Sequence, residues 1–151
     1  VSVSKTGDPP VYFTSYQRYW NAEPERRQND FIITTTFDHN NSSLLKAGKE
    51  SKLIVNLVVK KDADYVMLNI PIPGGCTYSE KGNNFANEVH REYFKNETAI
   101  FCQKLRKGEY KFEISLMPRY SGKYTLNPAK AELMYFPMFN ANNELKKVTI
   151  E

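Results

Sequence analysis

Two stretches of this sequence alternate apolar and polar side chains with a period of two. Successive side chains of a β-strand point to opposite faces, so this pattern predicts a strand with one buried face. The apolar positions are Leu53, Val55, Leu57 and Val59 in the first stretch and Tyr110, Phe112, Ile114 and Leu116 in the second. Ile54 and Val58 make the opposite face of the first stretch partly apolar.

Further segments carry weaker strand patterns and are separated by turn-forming residues. The segments are Val11–Tyr19, Phe31–Phe37, Tyr65–Ile70, Val89–Phe94, Ala99–Leu105, Lys123–Leu126, Ala131–Phe136 and Lys146–Ile150. The predicted turns include Lys46–Lys49, Lys61–Asp64, Pro73–Gly75, Lys81–Asn84, Arg106–Gly108 and Asn140–Asn143. Their Gly, Pro, Asn and Asp residues favour turns. We therefore expect an all-β fold, an antiparallel β-sandwich of roughly seven to nine strands with little helix.

The domain organisation follows from length and local composition. A chain of 151 residues predicts one main domain. The segment Asn21–Asp30 is polar, contains Pro24 and follows an aromatic run, which is the composition of a linker or a long loop. We expect residues 1–27 to be a strand and linker that could belong to a preceding β-domain, and residues 28–151 to form the sandwich.

The positive charge of the chain is spread along the sequence. The formal net charge is +4, but the basic residues occur as separate pairs at Arg26–Arg27, Lys60–Lys61, Arg106–Lys107 and Lys146–Lys147. Scattered pairs predict solvated strand ends, so we expect no nucleic-acid partner. No apolar run reaches the ~20 residues of a transmembrane helix, and we expect no direct membrane insertion.

No stretch of the sequence matches a catalytic or metal-binding motif. His39 and His90 lack the spacing of metal ligands, and we expect each to be solvated or bonded locally. Cys102 lies within an apparent strand without a nucleophile loop, which predicts a buried structural cysteine. Cys76 and Cys102 either form a structural disulfide or remain two free thiols. We expect no enzyme activity, no metal and no cofactor.

Aromatic residues near the N-terminus predict a contact surface formed by Tyr12, Tyr16, Tyr19 and Trp20. One interpretation is a sugar-stacking platform, which would make the chain an immunoglobulin-like carbohydrate-binding or adhesive accessory module. The other is a strand packed against a neighbouring domain. We favour the interdomain contact because sugar sites usually add nearby polar groups.

Four segments follow one another in a recognisable order. Tyr65–Gly75 ends a strand in a Pro-x-Gly turn, Leu105–Tyr110 has the form Leu-x-x-Gly-x-Tyr, Ser121–Tyr124 contains Gly-x-Tyr, and Pro128–Pro137 reads Pro-Ala-x-Ala-x-x-Met-Tyr-x-Pro. Together they resemble the C-terminal macroglobulin-type domain of bacterial alpha-2-macroglobulin proteins. The residues that carry the resemblance are Pro73, Gly74, Gly108, Tyr110, Gly122, Tyr124, Pro128, Ala129, Ala131, Met134, Tyr135 and Pro137.

The resemblance implies a macroglobulin or immunoglobulin-like sandwich from about Phe31 onward. It also implies membership of a large exported protease trap, in which a bait segment is cut and an internal thioester captures the attacking protease. The family's thioester pattern, Cys-x-Glu-Gln, does not fit Gly75–Ser79 or Phe101–Lys104. The covalent chemistry would therefore lie in another domain.

The role that the resemblance implies is that of a non-catalytic domain, which packs beside the thioester domain and shields it. Its partners would be the thioester and macroglobulin domains of the same full-length chain, and target proteases only indirectly. The segment Gly7–Tyr12 resembles the stretch that leaves the thioester domain in this family. The implied location is the periplasm or the cell envelope, with a signal or lipid anchor outside this chain.

Overall fold

The structure is a computed structural model that describes residues 4–8, 10–16, 21, 24–39, 43–82 and 86–151. The regular secondary structure of these residues is entirely β-strand. The strands are β1 (Arg27–Gln28), β2 (Phe31–Phe37), β3 (Leu44–Leu45), β4 (Ser51–Val59), β5 (Ala63–Pro71), β6 (Cys76–Tyr78), β7 (His90–Tyr93), β8 (Glu97–Leu105), β9 (Gly108–Pro118), β10 (Gly122–Leu126), β11 (Lys130–Leu133), β12 (Phe136–Asn142) and β13 (Lys146–Ile150). The predicted all-β fold is confirmed. None of the described residues forms a helix long and apolar enough to cross a membrane.

The strands form three sheets. A six-stranded sheet has the order β1-β12-β11-β5-β8-β7, a four-stranded sheet the order β2-β4-β9-β6, and a three-stranded sheet the order β10-β13-β3. Neighbouring strands are antiparallel except β13 and β3, which are parallel, with Thr149 opposite Leu44. The backbone N–H of Ala47 also donates to the carbonyl of Glu151 at 2.6 Å, so the last residue is fixed beside β3.

One hydrophobic core holds the three sheets together. In β4 every second residue is buried, as the alternation predicts, and in β9 the same holds from Phe112 onward, while Tyr110 is half-buried. The largest fully buried side chains come from all three sheets, and they are Phe31, Phe112, Ile33, Leu45, Leu53, Leu57, Leu68, Ile70, Ile100, Leu105, Ile114 and Leu116. The core is therefore that of a sandwich rather than of separate hairpins.

The described residues form thirteen strands, where the sequence predicts roughly seven to nine. Three of the additional strands are short, since β1 and β3 have two residues each and β6 has three. Alternation cannot be recognised over so few residues, because a period of two needs several repeats to stand out. A fourth, β12, begins inside the predicted strand Ala131–Phe136.

The predicted strand at Val11–Tyr19 is wrong for the part that the structure describes. Residues 11–16 are in no strand and are exposed, with Tyr12 at 95% and Tyr16 at 90% exposure. Residues 17–20, with Tyr19 and Trp20, lie outside the described residues. Alternation gives a strand only where a neighbouring strand takes up the backbone hydrogen bonds.

Two further predictions near the C-terminal end are corrected. The predicted strand Ala131–Phe136 is split by a turn at Met134 and Tyr135, so that its two parts pair as β11 and β12. The predicted turn Asn140–Asn143 is instead the end of β12 followed by the buried Asn143. Asparagine is typical of turns, but here the pairing of β12 with β11 and β1 determines the conformation.

The strands β5 and β8 shift the phase of their alternation at the same point. The buried positions Ala63 and Val66 of β5 are three residues apart, and so are Cys102 and Leu105 of β8. The register between the strands does not slip across this point. Tyr65 has a φ of 55°, in the left-handed region that residues other than glycine seldom adopt. The alternation of buried and exposed side chains in β5 changes phase at this residue.

Candidate functional site

The tip of the β11–β12 hairpin presents an exposed apolar surface. Leu133 pairs with Phe136, and Met134 and Tyr135 form the two-residue turn between them. The exposed residues, here called the apolar hairpin, are Met134, Tyr135, Phe136, Met138 and Phe139, and their exposed fractions run from 39% to 79%. A contiguous exposed apolar group of this kind is typical of a protein interaction site.

A bulge in β12 produces this exposure. Glu132 pairs with Asn140, but the next residue of β11 pairs with Phe136, so residues 137–139 of β12 stand out of the ladder. Pro137 cannot donate a ladder hydrogen bond, which favours a bulge here. The side-chain amide of Asn140 donates to the carbonyls of Pro137 at 2.8 Å and Met138 at 3.3 Å and holds the bulge in shape.

Tyr65 supports the apolar hairpin from the neighbouring strand β5. The backbone N–H of Met134 donates to the Tyr65 carbonyl at 2.9 Å. The rings of Tyr65 and Tyr135 meet edge to face, with centroids 5.2 Å apart and an interplanar angle of 78°. This geometry is the favoured one for aromatic pairs.

Two of the Gly-x-Tyr segments form the same local structure. The hydroxyl of Tyr110 donates to the carbonyl of Arg106, and the hydroxyl of Tyr124 donates to the carbonyl of Tyr120, each at 2.9 Å and four residues back. A tyrosine that bonds to the backbone a few residues upstream is known from immunoglobulin-like sandwiches as a tyrosine corner. Gly122 has a φ of 152°, which favours glycine at the start of β10.

The Pro-x-Gly turn and the second tyrosine corner come together in the fold. The N–H of Cys76 donates to the Pro73 carbonyl at 2.9 Å and closes the turn. The Tyr124 ring lies against Gly75, and the Gly75 carbonyl accepts the N–H groups of Arg119 at 2.8 Å and Tyr120 at 3.2 Å. The Pro-x-Gly and Gly-x-Tyr segments, which both carry the sequence resemblance, are therefore in contact in the fold, although they lie about 50 residues apart in the sequence.

An open groove of about 860 Å³ lies beside this turn, lined in part by Pro73, Tyr78, Phe94 and Tyr120. None of the described residues that line it is Asp, Glu or His. The Tyr78 hydroxyl donates to the Glu97 carbonyl at 2.7 Å, and burial raises the pKa of this hydroxyl. The groove therefore holds neither a carboxylate pair nor a carboxylate–histidine pair for acid–base catalysis.

The Pro-Ala-x-Ala part of the last segment points into the core rather than to the surface. Ala129 and Ala131 are buried, and the side chain of Asn143 accepts the Ala129 N–H at 2.7 Å. The same side chain donates to Thr35 Oγ1 of β2 at 2.8 Å, so Asn143 bridges two sheets. No local sequence pattern indicates this bridge, because the asparagines around it are typical of a turn.

A buried ion pair is a second feature that the sequence did not indicate. The Arg91 guanidinium binds both Glu88 carboxylate oxygens, at 2.8 and 2.5 Å, and both side chains are at most 3% exposed. Arg91 also donates to the Glu113 carbonyl of β9 at 2.8 Å. The ion pair therefore connects the edge of the six-stranded sheet to the four-stranded sheet. The bonds to Glu88 and Tyr93 raise the pKa of Arg91 although its burial acts in the opposite direction.

Cys76 and Cys102 are free thiols in the structure, and they are buried in different sheets. Burial raises the pKa of the Cys76 thiol to about 11. Burial and the Glu88 carboxylate raise that of Cys102 to about 12. A thiol with such a pKa is protonated at neutral pH, so neither cysteine has the character of a nucleophile.

The histidines and acidic residues that the structure describes do not gather into a metal site. His90 is exposed, with Nε2 3.3 Å from Glu92 Oε1, and the His39 ring lies 3.6 Å from Asp38. Asp62 accepts the Lys107 N–H at 2.8 Å. Among the described residues no three His, Cys, Asp or Glu side chains are placed to hold a metal ion.

The sequence matches one family model, described as the bacterial alpha-2-macroglobulin MG10 domain, over residues 16–137. That stretch includes the Pro-x-Gly turn, both tyrosine corners and most of the apolar hairpin. No curated protein matches the sequence significantly.

Solved structures with a similar fold include two bacterial alpha-2-macroglobulins. The Salmonella protein reacted with methylamine is 15% identical with a TM-score of 0.73, over 85% of this chain and 10% of that chain. The Escherichia coli protein activated by porcine elastase is 13% identical with a TM-score of 0.75, over 85% and 14%. This chain thus spans only a small part of these relatives.

The fold also occurs in a protein of a different description. A non-cellulosomal cohesin from the archaeon Archaeoglobus fulgidus is 10% identical with a TM-score of 0.51, over 82% of this chain and 92% of that chain. At these identities structural similarity shows the fold alone.

Proposed function

This chain belongs to the bacterial alpha-2-macroglobulin MG10 domain family, and on that basis we propose that it is a non-catalytic domain of a protease-trapping inhibitor, packed beside a thioester domain that it shields. The E. coli relative is activated by porcine elastase, and the Salmonella relative reacts with methylamine. For this chain, the bait segment and the thioester would lie in other domains of the full-length protein.

The observation that carries the proposal is the apolar hairpin. It holds no charged side chain between Met134 and Phe139, and two of its residues, Tyr135 and Met138, are more than two-thirds exposed. Leaving such a surface in water is unfavourable by roughly 25 cal/mol for each Å² that a partner could cover. The occupant that we assign to it is the thioester domain of the same protein.

The proposed shielding works by exclusion of water and amines. A thioester is hydrolysed when a nucleophile reaches its carbonyl carbon, and aromatic and methionine side chains packed over the bond remove the space for one. The hairpin suits this purpose because its bulge is fixed by Asn140, and because no charged side chain at its tip would bring water along. The domain needs no catalytic group for such a role.

The other partners and the location follow from the same proposal. The remaining macroglobulin domains of the full-length protein would contact this domain, and target proteases would meet it only after capture. Such a trap would act in the periplasm or at the cell envelope.

The proposal is tested in the full-length protein, with the hairpin residue Tyr135 replaced. We expect Tyr135→Ala to raise the rate of thioester cleavage by methylamine roughly tenfold, which corresponds to about 1.4 kcal/mol of barrier. The rate is measured as thiol release in the absence of protease. Tyr120→Ala is the matched control, because Tyr120 is also an exposed tyrosine (69%) but lies outside the hairpin.

Two results would contradict the proposal. One is a full-length protein that releases no thiol with methylamine, since there would be no thioester to shield. The other is an equal rate for wild type, Tyr135→Ala and a Met138→Ser variant.

A further inference from the structure

We infer that Tyr65 is a positioning residue that holds the Tyr135 ring in a fixed orientation within the apolar hairpin. This inference rests on the proposed function for its biological meaning but on separate observations for its geometry. Tyr65 belongs to β5 and Tyr135 to the turn after β11, so the contact joins two neighbouring strands of the six-stranded sheet.

Two contacts from Tyr65 fix the hairpin tip at once. Its carbonyl accepts the Met134 N–H at 2.9 Å, which holds the backbone of the turn. Its ring meets the Tyr135 ring edge to face at 5.2 Å, which restricts the side chain. Because Tyr135 is 67% exposed, few other atoms limit its rotation, and the Tyr65 ring is the aromatic neighbour that does so.

The backbone of Tyr65 is what points its ring toward the hairpin. Its φ of 55° is unfavourable for a side chain with a Cβ, and glycine or asparagine would adopt it more easily. A residue held in such a conformation by its surroundings is often part of a functional site. The buried residues Val66, Leu68 and Ile70 leave Tyr65 on the opposite, exposed face of β5, where Tyr135 stands.

The choice of residue separates positioning from a purely structural role. If the fold needed only the left-handed backbone at position 65, glycine would serve at least as well. A tyrosine there adds a ring, and the residue remains 45% exposed. Its contribution is therefore the contact with Tyr135 rather than burial in the core.

The test compares Tyr65→Gly, which accepts the backbone conformation but lacks the ring, with Tyr65→Phe, which keeps the ring. The first readout is the NMR chemical shift of the Tyr135 ring protons in the 151-residue chain, since a neighbouring ring shifts them by its ring current. We expect Tyr65→Gly to move these resonances toward those of a solvated tyrosine, and Tyr65→Phe to leave them near their wild-type positions. Urea unfolding of both variants checks that the fold is retained.

The second readout is the methylamine rate in the full-length protein. We expect Tyr65→Gly to raise it roughly tenfold, as for Tyr135→Ala, and Tyr65→Phe to stay within about twofold of wild type. The double variant Tyr65→Gly with Tyr135→Ala should react no faster than Tyr135→Ala alone, because Tyr65 acts through Tyr135.

The two readouts separate the two proposals. Unchanged Tyr135 resonances in a folded Tyr65→Gly protein would overturn the positioning role and leave the shielding function standing. Shifted resonances together with equal methylamine rates in every variant would overturn the shielding function, while the positioning of Tyr135 by Tyr65 would hold.

Discussion

The ring of Tyr124 occupies the space that a side chain at position 75 would need. A Cβ placed on Gly75 would lie 2.5 Å from Tyr124 Cζ and 2.8 Å from Ile150 Cδ1. The contact joins the Pro-x-Gly turn to β10 and β13, so two of the recognisable sequence segments are one packing unit in three dimensions.

Gly75→Ala should therefore destabilise the domain, because the ring and the core isoleucine must both move. We expect a loss of about 1–3 kcal/mol in the free energy of unfolding, measured by urea titration. The neighbouring Gly74→Ala is the control, since a Cβ there would meet Tyr124 only at 3.6 Å, and it should change stability by no more than about 0.5 kcal/mol. Equal losses in the two variants would show that the close approach to Tyr124 is unimportant.

The Glu88–Arg91 ion pair should be costly to break from one side. Glu88→Gln leaves the Arg91 charge buried without its partner, and we expect a loss of about 3–5 kcal/mol. Replacing both residues by methionine removes both charges and should cost less than the single change. Glu113→Gln, which breaks only the partly exposed pairs with Lys52 and Lys111, should cost at most about 1 kcal/mol. A double variant less stable than Glu88→Gln would contradict this account.

Because the Cys76 and Cys102 thiols are buried, we expect the domain to lose stability at alkaline pH. Their ordinary pKa is 9.0, and the fold raises it to about 11 at Cys76 and about 12 at Cys102, mainly by burial. Below pH 9 the folded and unfolded chains both keep these protons. Above it the unfolded chain loses them first, so stability falls by at most about 1.4 kcal/mol per pH unit for each thiol, until the folded pKa is reached.

Urea unfolding between pH 8 and pH 11 measures this slope. A Cys102→Ala variant should lose less stability than wild type across that range, because one of the two thiols is gone. The two proteins differ only at residue 102, so the difference between their curves isolates the Cys102 thiol. Parallel curves would mean that Cys102 does not contribute.

Asn143 should contribute more to stability than an exposed asparagine. In Asn143→Ala the buried N–H of Ala129 and the hydroxyl of Thr35 lose a partner, and we expect a loss of about 1–3 kcal/mol. Asn127→Ala is the control because Asn127 is exposed. Differential scanning calorimetry would detect the difference as a lower Tm for Asn143→Ala, and identical Tm values would contradict the bridge.

The long strands and the overall fold could be predicted from the sequence because each carries its own local signal. Alternation over nine residues in β4 and eleven in β9 indicates which face is buried before any partner is known. The Gly-x-Tyr and Pro-x-Gly segments could likewise be recognised as structural. Their contact through Gly75 and Tyr124 could not, because it depends on how distant strands pair.

The apolar hairpin was missed for a similar reason. Met134, Tyr135 and Phe136 continue the apolar pattern of β11, so the sequence indicates one strand where the chain in fact reverses and bulges. The position of the turn is set by pairing with β5 and by the bonds of Asn140, which join residues that no local pattern connects. The Glu88–Arg91 pair could not be predicted either, because it forms only where residues of both sheets exclude water from the two charges.

The parallel pairing of β13 with β3 constrains how this domain can be made in the cell. Leu44 and Thr149 are more than 100 positions apart, and β13 is the central strand of its sheet. A nascent chain emerging from the ribosome can form the β2–β4 hairpin early, but its three-stranded sheet cannot close until Ile150 has been synthesised. Until then the apolar sides of β3 and β10 stay uncovered, and a chaperone that shields them would be of most use in that interval.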